Sequence, residues 1–233
     1  MSKIFTTLLL TLWLSVGAAW AGDLEDGVTA YEKKDFATAL RKFKSAAAQG
    51  DANAQFNLGI MYDAGQGVVQ DYTEAVRWFK LAAAKGVPEA QFNLGNMYNN
   101  GRGVVQDYAE AVRWYKFAAA RGEAAAQINL GTMYEKGQGV IQDYAEAVRW
   151  YKLAAAQAYA SAQINLGAMY GKGQGVVQDY VRAHMWWNLA AVTGDANAVK
   201  NRDLVAKMMT PQQIAEAQKL ARECQARNFK NCD

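Results

Sequence analysis

The chain has 233 residues, of which 52% are hydrophobic and 20% are charged, so it can bury a core and is not a disordered chain. Its formal net charge is only +3, and composition therefore gives no electrostatic sign of nucleic-acid binding. A single His excludes a multi-histidine metal site, and we expect no cofactor.

The first 21 residues have the pattern of a cleavable signal peptide. Lys3 supplies a positive start, residues 4–13 are mostly apolar, and Ala19-Trp20-Ala21 has the small residues of a cleavage site. An uncleaved anchor is the alternative, although the apolar stretch is short for a membrane span. We therefore expect export to a periplasm or to the outside, without stable membrane insertion after cleavage.

Most of the remaining chain is a tandem repeat of 36 residues. Residues 51–86, 87–122, 123–158 and 159–194 align without gaps, and 17 of the 36 positions are identical in all four copies. Residues 22–50 are a degenerate copy that lacks the G-x-G sequence. A period of this length indicates stacked supersecondary units that form a solenoid.

Each copy is predicted to contain two helices. Ala54, Leu58 and Tyr62 fall on one face of the first helix, while Gly59 is expected to let the partner helix approach closely. The G-x-G sequence ends this helix, and Asp71 caps the next one. In the second helix we expect a buried stripe that includes a tryptophan. This tryptophan recurs in every copy, as Trp78, Trp114, Trp150 and Trp186. A place in the core explains it more simply than a platform for a ligand does.

The C-terminal segment, residues 195–233, is predicted to be a capping helix pair. Thr210-Pro211 is a typical helix start. In an oxidising compartment we expect Cys224 and Cys232 to form one disulfide that holds the last helix. Two free thiols or an intermolecular bridge remain the alternatives.

The repeat sequence AQFNLGxMYxxGxGVVQDYxxAxxWYKxAAAxG resembles the Sel-one-like repeat (SLR) family, a branch of the tetratricopeptide superfamily. The resemblance covers about residues 25–226. It implies an all-α fold, a right-handed α-α superhelical solenoid of about six helix pairs. The C-terminal HMWWNLAAVTGDANA also looks like the end of exported bacterial members. Members of the family are mostly adaptors that bind other proteins.

Catalysis is not expected. His184 is the only side chain whose ordinary pKa lies near neutrality, and after signal cleavage the only serines are Ser45 and Ser161, neither in a nucleophile motif. Some cysteine-rich relatives are described as β-lactamase-like, but this chain lacks their cysteine pairs. The G-x-G sequences follow helices rather than strands and are predicted turns, not phosphate-binding loops.

One polar column has a candidate functional role. An asparagine precedes the Leu-Gly pair in every copy, beside positions that differ between copies. Resemblance to the superfamily places this helix on the concave wall, where the asparagines could hold peptide backbone and their neighbours choose the partner. The alternative is a helix-to-helix amide bond that keeps the repeats in register, and both roles can hold. The candidate groove comprises Asn57, Asn93, Asn129, Asn165, Phe56, Phe92, Asn96, Asn100, Glu135, Lys136 and Lys172.

The sequence thus predicts an exported, monomeric, non-enzymatic adaptor that binds a protein or peptide in a concave groove. Two alternatives belong to other classes of function. One is a cell-wall or β-lactam-type hydrolase. The other is a structural assembly factor that binds through its convex or edge helices.

Overall fold

The structure, a computed structural model, describes residues 22–232. The predicted signal peptide therefore lies outside the described residues. Within them the chain contains twelve helices and no strand. The helices are α1 (residues 22–32), α2 (Phe36–Ala48), α3 (Ala52–Ala64), α4 (Tyr72–Ala84), α5 (Pro88–Asn100), α6 (Tyr108–Ala119), α7 (Ala124–Lys136), α8 (Tyr144–Ala155), α9 (Ala160–Lys172), α10 (Tyr180–Ala191), α11 (Ala196–Ala206) and α12 (Pro211–Ala226).

The helices form two compact units. The first unit ends at Asp107 and contains α1 to α5, and the second begins at Tyr108 and contains α6 to α12. In each unit every helix from α2 onward packs against the next one along the chain, except that α12 packs against α10. This all-α arrangement of stacked helix pairs is the predicted fold class. In the stretch 22–232, none of the helices combines the length and the hydropathy needed to cross a membrane.

As the sequence predicts, polar side chains cap the starts of helices and glycines end them. The Asp71 carboxylate accepts hydrogen bonds from the backbone amides of Thr73 and Glu74 at the start of α4. The Thr210 side chain and Gln213 form a reciprocal capping box at the start of α12. Gly65 ends α3 in the left-handed conformation, with φ of 67°. The helix boundaries are therefore encoded locally.

In α4 the alanines of the predicted stripe, Ala75 and Ala82, are buried, but the buried aromatic residue is one position later than predicted. Phe79, not Trp78, is the buried aromatic residue of α4, and Trp78 is only half-buried. The Phe79 ring lies against Gly59, where a Cβ atom would be 2.5 Å from the ring. Gly59 therefore makes room for a ring of the second helix rather than for its backbone. Later copies repeat the arrangement with the pairs Gly131–Tyr151 and Gly167–Trp187.

The G-x-G loop of each copy rests on the copy before it. At Gly67, with φ of +70°, a Cβ atom would lie 2.7 Å from the Phe36 carbonyl oxygen at the start of α2. Gly139 is packed in the same way against Tyr108. A loop glutamine, Gln70 in the first copy, donates to the Asp63 carbonyl at 2.7 Å and fixes the loop on its own first helix. The loop glycines are thus required by contact between neighbouring repeats.

The chain ends in a disulfide-closed turn. Cys224 of α12 is bonded to Cys232, so the expected pairing is present. Three residues between them have positive φ without being glycine, namely Asn228, Phe229 and Asn231. Phe229 packs against the apolar core of the second unit. The turn therefore folds an aromatic side chain back over the C-terminal helices.

Candidate functional site

The asparagine column lies on the first helices of the repeats, in α3 and α5 of the first unit and in α7 and α9 of the second. All four asparagines are half-buried, at the boundary between the core and the surface. Of the neighbouring candidates, Phe56, Phe92, Asn96 and Glu135 are also half-buried, whereas Asn100, Lys136 and Lys172 are exposed. Each unit therefore presents two asparagines beside side chains that differ between copies.

In the first unit the candidate residues are partly engaged with their neighbours. The Phe56 ring lies 6.0 Å from the ring of Phe79, centroid to centroid. Asn100 accepts a hydrogen bond of 3.0 Å from the side-chain amide of Asn99. Arg102, just after α5, donates to the Asp63 carboxylate of α3 at 3.0 Å. These contacts hold the surface side chains in place.

In the second unit a polar cluster surrounds the hydroxyl of Tyr151. The hydroxyl donates to the Glu135 carboxylate at 2.8 Å and lies 3.2 Å from the Thr132 hydroxyl. It is also hydrogen-bonded to the side chain of Asn165. Burial, with Glu135 close by, raises the pKa of Tyr151 far above its usual range, so the phenol stays protonated. The structure thus joins α7, α8 and α9 through two of the candidate residues.

The four asparagines do not have the same surroundings. Asn129 is hydrogen-bonded to the hydroxyl of Tyr115, whose pKa burial raises to about 12. Asn165 contacts Tyr151 in the equivalent way. In the first unit, however, the residues that align with these tyrosines are Phe43 and Phe79, which carry no hydroxyl. An inter-helix bond to tyrosine therefore accounts for the asparagines of the second unit only.

A different amide connects the repeats in both units. The buried glutamines at the start of the first helices donate to carbonyls at the end of the preceding second helix. Gln91 donates to the Ala83 carbonyl at 3.0 Å, and Gln127 donates to the Ala119 carbonyl at 3.2 Å. Each glutamine is at most 5% exposed. These glutamines supply the register contact that was one alternative role for the asparagines.

A fifth asparagine was not predicted from the sequence. Residues 195–198 repeat the Asp-Ala-Asn-Ala of residues 51–54, and Asn201 then occupies the position of Asn57. Asn201 is half-buried on α11, which packs against α10. The repeated tetrapeptide was the signal that could have revealed it. The column therefore extends into the C-terminal helix pair.

The residues considered for catalysis are not assembled into a site. His184 is only 3% exposed and Ser161 is on the surface of α9, while the Ser45 hydroxyl donates to Asp23 at 2.6 Å. Burial lowers the pKa of His184, and the charge of Arg202 lowers it further. In the described part of the chain, no cluster of three or more metal-binding side chains occurs.

The tryptophan column contributes to the packing of both units. Trp150 and Trp186 are buried and Trp78 is half-buried, with its ring covered by the guanidinium of Arg77 at 4.2 Å. The indole nitrogens of this column are buried, and within residues 22–232 they have no hydrogen-bond partner. These rings contribute apolar area and a face for arginine rather than a polar contact.

Comparison with protein families gives the same repeat architecture. The family described as Sel1 repeat matches residues 19–51, 52–87, 88–123, 124–159 and 160–191. The chain belongs to the Sel1 repeat family. This family assignment and the helix-pair fold are consistent with a scaffold for protein–protein interaction. No functionally curated protein is significantly similar to the chain.

Solved structures of Sel1 repeat proteins resemble the chain over most of its length. A Sel1 repeat protein from Oxalobacter formigenes is 34% identical, with a TM-score of 0.73 over 88% of each chain. The protective antigen c5321 from uropathogenic Escherichia coli is 27% identical, with a TM-score of 0.58 over 91% of this chain and 54% of the antigen. A Sel1 repeat protein from Klebsiella pneumoniae, at 22% identity, has a TM-score of 0.51 over 80% of this chain and 93% of its own, and shows the fold alone.

Proposed function

We propose that this Sel1 repeat protein is an exported, non-enzymatic adaptor that binds an extended or helical polypeptide on the surface of its first helices. The asparagine column is the observation that carries the proposal. A carboxamide both donates and accepts hydrogen bonds, so it can pair with peptide N–H and C=O groups whatever the partner's sequence. The variable neighbours then select the partner.

The first unit gives the clearest support. Because Phe43 and Phe79 stand where the tyrosines of the second unit stand, Asn57 and Asn93 are not required there as partners of a phenol. The buried glutamines already connect consecutive repeats in that unit, for example through Gln91 and Ala83. Among the described residues, the half-buried amides of Asn57 and Asn93 thus neither bind a tyrosine nor connect repeats. Such an amide is well suited to contact a ligand.

Export is proposed from the N-terminal sequence together with the C-terminal disulfide. Residues 1–21 have the composition of a signal peptide. The Cys224–Cys232 disulfide is typical of proteins that reside in an oxidising compartment. A bacterial periplasm, or release from the cell, satisfies both features.

The test compares the proteins captured from the native envelope by the wild type and by the double variant Asn57→Ala with Asn93→Ala. Losing one polar contact costs about 0.5–1.5 kcal/mol, so the double variant should bind a captured partner about tenfold more weakly. Its helix content and melting temperature should stay close to those of the wild type.

The control is Arg113→Ala with Arg149→Ala on the second helices. Both side chains are exposed, at 61%, and pair with Glu110 and Glu146 of their own helices, so capture should be unchanged. Loss of capture by the arginine variant, with full capture by the asparagine variant, would place binding on the second helices and refute the proposal.

A further inference from the structure

A pocket of about 330 Å³ opens between α9, α10 and α11 in the second unit. Its walls are mostly apolar and include Trp187, Leu204 and Met208. Leu204 is 49% exposed and Met208 is 61% exposed, so a ligand can reach both side chains from solvent. The volume is at the lower end for ligand pockets and fits one bulky side chain with its adjoining backbone.

The pocket occurs where the last full copy departs from the copy before it. Ala168 and Gly171 line it, whereas the aligned residues of the third copy are Thr132 and Glu135. In the third copy those two side chains bind the Tyr151 hydroxyl. In the fourth copy Trp187 replaces that tyrosine, and a Cβ atom on Gly171 would be only 3.2 Å from its ring. The small Gly171 thus makes room for the Trp187 ring, which forms a wall of the pocket in place of the polar cluster of the third copy.

The charged groups that line the pocket are of one sign. Among the described residues that line it, Lys172 is the only cation and none is acidic. Asn201, the fifth member of the asparagine column, also lines the pocket and supplies a carboxamide next to the apolar wall. An apolar cavity with a lysine at its rim is complementary to an apolar side chain that has a carboxylate beside it.

We infer that this pocket receives a bulky apolar side chain of the bound polypeptide, next to an Asp or Glu whose carboxylate pairs with Lys172. The inference rests on the proposed function and names the anchor residues that the partner must supply. Asn201 then hydrogen-bonds the backbone that joins the two side chains.

In the test, short peptides that contain 4-fluorophenylalanine as the anchor are added to the purified protein, and the fluorine signal of the peptide is monitored by ¹⁹F NMR. The first, acetyl-Gly-(4-fluoro-Phe)-Asp-Gly-amide, should bind and should shift the Met208 methyl resonance. Its Asn counterpart should bind about two- to fivefold more weakly, as expected for loss of an exposed ion pair. A peptide with Ala in place of the anchor, followed through the Met208 methyl, should bind at least tenfold more weakly.

A second pair of peptides tests the source of the carboxylate. Acetyl-Gly-Gly-(4-fluoro-Phe) is compared as the free acid and as the amide. The acid should gain less over the amide than the Asp peptide gains over the Asn peptide. A larger gain would contradict the side-chain assignment and place the carboxylate at a chain end. Equal binding of acid and neutral peptides in both pairs would refute the role of Lys172.

Two protein variants have a matched control. Ala168→Leu fills the pocket with a larger side chain and leaves Gly171 unchanged beside Trp187, so it should reduce peptide binding at least tenfold. Lys172→Gln should leave the Asn peptide unaffected and remove the preference for Asp. Lys200→Gln, at an exposed lysine of α11 that does not line the pocket, should change neither. Unchanged binding to the filled pocket, or a Met208 methyl that does not move, would overturn the inference.

The outcome is separable from that of the proposed function. Asn57 and Asn93 belong to the first unit, while the pocket belongs to the second. If the asparagine variant loses its partner but the filled-pocket variant retains it, the adaptor function stands and the anchor pocket fails. If the peptides bind the pocket while the asparagine variant captures normally, the pocket stands and the asparagine contacts fail.

Discussion

Two kinds of side-chain amide occupy the first helices, and their burial separates their roles. Gln91 and Gln127 are almost fully buried and each donates to a carbonyl of the preceding helix. The two carbonyls also accept from the backbone amides of Gly86 and Gly122, so removing a glutamine should cost about 0.5–1.5 kcal/mol, the net contribution of one hydrogen bond. The asparagines two residues further along are half-buried and adjoin the surface. The glutamines are therefore part of the core, whereas the asparagines lie at its boundary with the surface.

His184 should make the protein sensitive to acid. Burial holds the pKa of His184 below its ordinary 6.5, so below about pH 6.5 the unfolded chain binds more protons than the folded one. The free energy of unfolding should therefore fall as the pH drops through this range and should be fully regained above it. On α11, Arg202 reinforces the shift and Asp203 opposes it.

The matched variant is His184→Val, because valine stands at this position in the three preceding copies: Val76, Val112 and Val148. Between pH 8 and pH 5, the melting temperature of the wild type should fall relative to that of the variant, since only the wild type loses the histidine contribution. A constant difference across this range would show that His184 titrates normally in the folded protein.

At the scale of the elements, the loops join one helix pair to the one before it. Gly139 is packed against the Tyr108 carbonyl with a φ of +69°. Gly122 has a φ of +89°, and among the described residues no atom lies within 4 Å of the place that its Cβ would take. A comparison of substitutions at the two glycines therefore distinguishes the cost of backbone strain from the cost of a steric clash.

Gly139→Ala should reduce the free energy of unfolding by about 2–5 kcal/mol, because it adds a clash to the strain of a left-handed alanine. Gly122→Ala should cost only the strain, about 1–2 kcal/mol. Urea unfolding of both variants measures the difference. Equal losses would mean that the loop moves away from Tyr108 without cost.

The C-terminal disulfide should stabilise α12 locally. Closing the short loop between Cys224 and Cys232 contributes about 2–3 kcal/mol. The three positive-φ residues within it depend on this closure, since they would relax in an open chain. After reduction, amide hydrogen exchange should accelerate in residues 217–229 and remain slow in α7. The variant Cys224→Ala with Cys232→Ala should not respond to reductant, and free thiols in the unreduced, denatured wild type would contradict the prediction.

Sequence patterns predicted the elements better than their contacts. Asp71, Gly65 and Thr210 act within a few residues of their own position, so their capping roles could be read from the chain. The choice between Trp78 and Phe79 as the core residue could not, because both are apolar neighbours and only the packing against Gly59 decides which one turns inward. Contacts between copies depend on two distant segments at once.

For the whole molecule, the sequence predicted the positions of the candidate site residues but only some of their contacts. The spacing of the asparagines placed them at equivalent, half-buried positions of the first helices. It did not show that Asn129 and Asn165 bind tyrosines, because those partners lie 14 residues earlier on another helix. The pocket beside Trp187 was equally hidden, since its walls come from α9, α10 and α11 and form only when these helices pack together.

We expect the purified protein not to hydrolyse a reporter β-lactam. Ser45 pairs with a carboxylate and Ser161 stands exposed on α9, while His184 is enclosed in the core. A serine hydrolase needs its nucleophile and base within hydrogen-bonding reach. Turnover above the rate in buffer that persists in a Ser45→Ala, Ser161→Ala variant would indicate a contaminant, and turnover lost in that variant would contradict the adaptor function.

The contacts between repeats also have a direction along the chain. Gln91 reaches back to Ala83, Gln127 to Ala119, and the loop at Gly67 rests on Phe36. Each of these supports is synthesised before the residue that uses it. A nascent or translocating chain can therefore add one finished repeat at a time onto a surface that already exists, with the N-terminal pair as the template. A protein shortened from its C-terminus keeps the partners of these glutamine and loop-glycine contacts in its remaining repeats, whereas one shortened from its N-terminus does not.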